Sequence, residues 1–94
     1  MNDDRTIELD KRGILVKLAF LVGKTLVMYS SNGYEAVKVN SIRVSDGSDT
    51  TLFIYTTAGI LQYSNLNMLN DTFLLTDNGL KSLRKIADEL EIYL

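Results

Sequence analysis

Gly23-Lys24-Thr25 is the first place in this chain where residue types and spacing could do chemistry. Such a run ends the phosphate-binding P-loop, in which backbone N–H groups and the lysine cradle phosphate oxygens. The full motif needs a glycine five residues before the second one, and that position is Leu18. A P-loop also feeds a helix, whereas Lys24 leads into residues of strand type. The run therefore reads as the end of one element and the start of a strand. Asp46 and Asp49 share one turn, with Asp71 and Asp77 later in the chain. Paired carboxylates can serve acid–base catalysis or hold calcium. The alternating acids and distal glutamate of an EF-hand loop are missing, and Asx-rich turns ordinarily bond their own backbone. Serine, tyrosine and lysine are all present, but no spacing singles out a catalytic Ser–Lys or Tyr–Lys pair.

What is missing excludes more than what is present. The chain has no histidine and no cysteine, and no proline or tryptophan. Histidine is the usual general base near neutral pH and cysteine the strongest side-chain nucleophile. Together they are the main ligands of zinc, copper and iron–sulfur centres. No catalytic, cofactor-binding or metal-ligating residue is assigned, and the chain reads as a non-enzymatic protein without a cofactor.

Two features point to binding instead. From Thr50 to Asn70 there are 21 consecutive residues without a charge, among them Phe53, Tyr55 and Tyr63. Exposed strands usually carry Lys or Glu, partly to discourage edge pairing. An uncharged strand pair with tyrosines suits a protein interface, where charge is depleted and Tyr enriched. It equally suits a central hairpin covered on one face. Phe53, Tyr55, Thr57 and Tyr63 are the candidate interface residues, and charge placed at Tyr55 or Tyr63 is expected to break association without unfolding. The second feature is Lys81, Arg84 and Lys85, followed by Asp88, Glu89 and Glu91. Arg84–Asp88 and Lys85–Glu89 stand four apart on a helical reading, in the less favourable order and against the helix dipole. The basic trio is a candidate anion or partner patch, with a solvated helix face as the plainer reading.

These residues need elements to hold them. Ninety-four residues at 46% hydrophobic and 23% charged suit a single domain, with residues 1–9 a flexible arm or short lead-in. Read as a helix, residues 10–22 align Ile14, Leu15, Leu18, Leu21 and Val22 in one apolar stripe, with Asp10 as cap and Gly23 just past the end. Read as a strand, they would be apolar on both faces. Helix is favoured, although Gly13 weakens it. Thr25–Ser30 has strand composition, and Asn32-Gly33 suits a type I′ hairpin turn. The return strand, Tyr34 to Val44, slips phase: Val37 and Val39 are odd-numbered, Ile42 and Val44 even. A bulge or sharp bend near Asn40-Ser41 would restore a single buried face and let one strand serve two sheets. Further strands are expected at Thr51–Thr57, Ile60–Tyr63 and Thr72–Leu75. Leu80, Leu83, Ala87, Leu90 and Leu94 then recur at spacings of three and four, predicting a helix of about four turns capped within Thr76-Asp77-Asn78.

Gly23-Lys24, a strand, then Asn32-Gly33 resembles the first half of an Sm-like RNA-binding barrel, in which an N-terminal helix leads into the same strand and turn. The match runs from Leu21 to Asp46. It departs at Val37-Lys38-Val39, where the family has a glycine, and at Ala58-Gly59, which lacks the basic residue of the second motif and with it the charge that would hold RNA. The resemblance implies a small bent-strand barrel.

The expected fold is α+β: an N-terminal helix, a curled antiparallel sheet of four to five strands, open or closed as a small barrel, and a C-terminal amphipathic helix. The expected function is an interaction module that self-associates or docks on a protein through residues 51–64. The alternative is an Sm-like or OB-like single-strand nucleic-acid binder using Lys24, Lys38 and Arg43. The net charge of −2 announces no polyanionic partner. The run Ile14–Met28 is interrupted by Lys17 and Lys24 and is too short for a membrane span. Met1-Asn2-Asp3-Asp4 lacks the basic start of a signal peptide. The chain is read as cytoplasmic, with no membrane partner. Its small size, asparagine content and lack of cysteine suit a phage or mobile-element accessory protein.

Overall fold

The computed structural model describes residues 13–45 and 50–92. Residues 13–18 form helix α1, continued by a 3-10 turn at Ala19–Leu21. The choice between helix and strand here is settled by burial, since Ile14, Leu18 and Leu21 point into the core while Val16 and Lys17 face out. Gly23 follows the last turn at positive φ, as a residue closing a helix does. Six strands follow: β1 (Thr25–Ser30), β2 (Gly33–Val44), β3 (Leu52–Thr56), β4 (Gly59–Tyr63), β5 (Thr72–Thr76) and β6 (Gly79–Ser82). A second 3-10 segment, Leu66–Asp71, joins β4 to β5, and helix α2 (Leu83–Glu89) follows β6. The strands form one antiparallel sheet in the order β4-β3-β2-β1-β5-β6.

The phase slip in β2 is real and has the expected consequence. Lys38 to Gly33 pair with β1, Val39 to Val44 pair with β3, and the register shifts between Val39 and Ser41. Asn40 is the extra residue. In an unbroken strand Ile42 and Val44 would face away from Val37 and Val39; the bulge absorbs one residue, so all four share the inner side. One strand thereby serves both halves of the sheet, which bends around the core. Leu21, Leu26, Val39, Leu52 and Ile54 are essentially closed to solvent there, each contributing about 1.5–3 kcal/mol by burial. The two helices cover this inner side through Ile14, Leu18, Leu83, Ile86 and Ala87.

The sheet does not close into a barrel. Its edges, β4 and β6, have no ladder partner on their outer sides among the described residues. Side chains join β4 to β5 across the inner side: the Tyr63 hydroxyl and Thr72 Oγ1 are hydrogen bonded at 2.5 Å, both buried. The helix, strand, turn and bent strand of the Sm-like resemblance are all present, but the barrel is not.

Two turn readings are corrected. The Asn32-Gly33 hairpin is not type I′, because Gly33 has φ +101° while Asn32 does not have a positive φ. The glycine follows the turn residues Ser31 and Asn32, the placement of a bulge-type hairpin loop. Thr76-Asp77-Asn78 does not cap a helix. It leads into a hairpin closed by Gly79 at φ +122°, which produces the sixth strand. Thr56-Thr57-Ala58-Gly59 is built alike, with Gly59 at φ +125° and the threonine hydroxyl donating to the glycine carbonyl, at 2.8 Å in Thr56 and 2.7 Å in Thr76. Helix α2 is accordingly only seven residues long. Leu80, expected on its apolar stripe, lies instead in β6 and is half exposed. The expected arm at 1–9, Asp10, Asp46, Asp49 and Leu94 lie outside the described residues. Among the described residues no helix is long and apolar enough to cross a membrane.

Candidate functional site

The hairpin β3–β4 separates the candidate interface residues. Along β3, Leu52, Ile54 and Thr56 are buried on the inner side, while Phe53 and Tyr55 stand half buried on the outer one. Cross-strand register builds two outer rows: Arg43, Phe53 and Gln62, then Ser41, Tyr55 and Ile60. The Arg43 guanidinium lies over the Phe53 ring at 4.8 Å, a cation–π contact that fixes both. Ile60 is 58% exposed on the edge strand, against Tyr55. Thr57 is exposed at the turn and is tied to β2 in both directions: its N–H donates to the Lys38 carbonyl at 3.0 Å, and the Lys38 N–H donates to its hydroxyl at 3.1 Å.

Tyr63 does not belong with them. It pairs with Leu52 on the inner side and is 6% exposed. Burial raises its phenol above the ordinary tyrosine value, the Thr72 hydrogen bond lowers it, and Asp71 adds a smaller upward push. Tyr63 is a core residue, so charge there would unfold the chain rather than break an association. Conversely, Ile60 and Arg43 belong to the surface and were not assigned to it. Counting alternate residues back from buried Val44 would have placed Arg43 beside Phe53.

The basic trio does not form a free anion site. Lys81 Nζ pairs with Glu89 at 2.7 Å, joining β6 to α2. Arg84 lies 3.9 Å from Asp88 and donates to Asn70 Oδ1 at 3.5 Å. Glu89 thus pairs with Lys81 rather than with Lys85, its neighbour four residues earlier. Lys85 is exposed and makes no ion pair among the described residues.

At Gly23-Lys24 the amides that a phosphate would need are taken. The Gly23 N–H donates to the Val39 carbonyl and the Lys24 N–H to the Leu21 carbonyl, each at 2.9 Å. The first of these, with the Val39 N–H donating back to the Lys24 carbonyl at 2.9 Å, locks the end of the helical segment onto β2, the structural role expected of the run. Among the described residues no three acidic side chains converge as metal ligands would. No protein family, no curated protein and no solved structure matches this chain. The outer surface of β3–β4 therefore has to be read from its own chemistry. It is an uncharged strip ending in an unpaired strand edge, with one arginine stacked at its rim.

Proposed function

We propose that this chain is a non-enzymatic protein-interaction module of the cytoplasm, docking through the outer face of β3–β4 and the free edge of β4. One observation carries the reading: Tyr55 and Ile60 are directly opposed on the solvent side of a strand pair with no charge of its own, at an edge with no partner among the described residues. Core formation explains Leu52, Ile54, Thr56, Tyr63 and Leu69 within the charge-free stretch. It does not explain the lack of Lys or Glu at the outward positions, where a charge that discourages edge pairing ordinarily stands. Tyr and Arg are the residues that most often anchor interfaces, and Arg43 on Phe53 supplies a pre-ordered rim.

The test uses Tyr55→Lys and Ile60→Lys, both at outward positions. Folding is checked by circular dichroism, and docking by capture of proteins on the immobilised chain. Proteins captured by the parent should be lost in both variants and kept in Lys85→Ala. Unchanged capture in both hairpin variants would overturn the reading.

A single-strand nucleic-acid binder is the second reading. It is favoured by the Arg43–Phe53 stack and by exposed Lys38 on the same side of β2, since aromatic and arginine faces can stack bases. It predicts salt-sensitive binding that weakens in Lys24→Gln, Lys38→Gln and Arg43→Gln. No binding at low salt removes it.

A further inference from the structure

The other half of the sheet leaves a second, larger apolar surface on its outer side. Directly opposed residues share a face in an antiparallel ladder, so the register places them row by row. Leu80 of β6 faces Leu75 of β5; Ser82, Phe73, Val27 and Ala36 form one row across β6, β5, β1 and β2; Tyr29 faces Tyr34 at the β1–β2 end. Leu75 and Leu80 are each 51% exposed, and both tyrosines more so. The tyrosine rings meet edge to face at 5.3 Å. Thr25 and Lys38 complete the face at one corner, and Lys38 is its single charged residue. Both helices pack on the opposite side, and nothing among the described residues covers this one.

We infer that this face is where two copies of the chain meet, sheet against sheet. Two observations select a second copy as the occupant. The face is charge-free except at its corner, so an ordinary charged protein surface would strand ions against it. A second copy offers a surface with the same lack of charge and needs no other complement. The area also agrees. The ten residues of this face span about 330 Å² in plan, so two copies with projecting Tyr and Leu side chains bury on the order of 800–1,000 Å², at the lower bound for a specific interface. Face-to-face sheets pack about 10 Å apart with their strands nearly aligned, and a two-fold axis would set Leu75, Leu80, Phe73 and Val27 of each copy against the other. This inference does not depend on the β3–β4 reading, because the Asn40 bend separates the two surfaces.

The experiment is light scattering of the full chain over a dilution series, for the parent, Leu75→Lys, Leu80→Lys and, as milder changes at the same positions, Leu75→Thr and Leu80→Thr. Circular dichroism confirms that each is folded. The expected result is the mass of two chains in the parent. The lysine variants should give the mass of one, the threonine variants should dimerise at least tenfold more weakly, and Tyr55→Lys should leave the dimer intact. A parent that stays monomeric at the highest concentration overturns the inference while leaving β3–β4 free to dock on another protein. A dimer that survives the Leu75 and Leu80 changes but is lost in Tyr55→Lys overturns it in favour of self-association through the hairpin.

Discussion

Tyr63 shows how one side chain changes role with the side of the strand it takes. Its ring fills the core opposite Leu52 and its hydroxyl satisfies buried Thr72. Tyr63→Phe leaves the Thr72 hydroxyl without this partner and should cost about 1–3 kcal/mol, read as a lower urea midpoint at unchanged slope. Tyr63→Glu places an unpaired charge in the core and should cost about 3–5 kcal/mol, enough to unfold much of a domain of this size. The pH dependence follows from the raised phenol. As pH climbs past about 10 the unfolded chain releases this proton first. Tyr63's stabilising contribution is therefore complete below that pH and lost as pH rises through the higher folded-state value. The urea midpoint should fall across that window more steeply in the parent than in Tyr63→Phe. Equal slopes would show that the phenol is not titrating from the core.

At the scale of elements, the bulge and the hairpins carry the architecture. Deleting Asn40 would leave Val37, Val39, Ile42 and Val44 in strict alternation on one side and remove only the bulge. The deletion variant should therefore still unfold cooperatively but at a lower urea midpoint, because the bend is lost, whereas Asn40→Ala, which keeps the bulge, should stay close to the parent. Gly79→Ala meets no atom within 4 Å of the added Cβ, so its cost is the backbone's alone. At φ +122° that cost should be about 1–3 kcal/mol, measured as a lower Tm. The Lys81–Glu89 pair is exposed, and Lys81→Ala should change stability by no more than about 1 kcal/mol. The second hairpin was within reach of the sequence, since Thr76-Asp77-Asn78-Gly79 repeats the Thr-x-x-Gly spacing of Thr56-Thr57-Ala58-Gly59. The sequence favours a cap there because Leu80 continues the three-and-four spacing of Leu83 and Ala87, and four residues of apolar pattern fit a strand as well as one turn of helix.

Across the whole molecule, the open sheet sets a gradient of protection. β1 and β2 each have strand neighbours on both sides, while β4 and β6 have one. Amide exchange should be slowest at Leu26, Val37 and Val39 and fastest along β6, the four-residue edge strand. Faster exchange in β1 than in β6 would contradict this order of strands. The same asymmetry separates the surfaces, with both helices on the inner side and the two apolar outer surfaces divided by the bend in β2.

The sequence by itself determined the class of the fold and much of its local grammar. The absence of histidine and cysteine removed most catalytic and metal chemistry. The stripe of Ile14, Leu18 and Leu21 indicated a helix, the odd-to-even slip in β2 indicated a bulge, and β1 was delimited at its observed ends. These are local signals, carried by residue type and by periods of two and 3.6. The tertiary structure decided which side of each strand is covered. Alternation says that Phe53 and Tyr55 oppose Leu52 and Ile54; only the packing of both helices onto one side shows that Tyr63 is core and that Ile60, Leu75 and Leu80 face out. It also decided that the sheet stays open, because closure would require the edge strands β4 and β6 to meet as backbones, and they do not. That outcome is set by the summed bend and twist of six strands, which no short stretch of residues encodes alone.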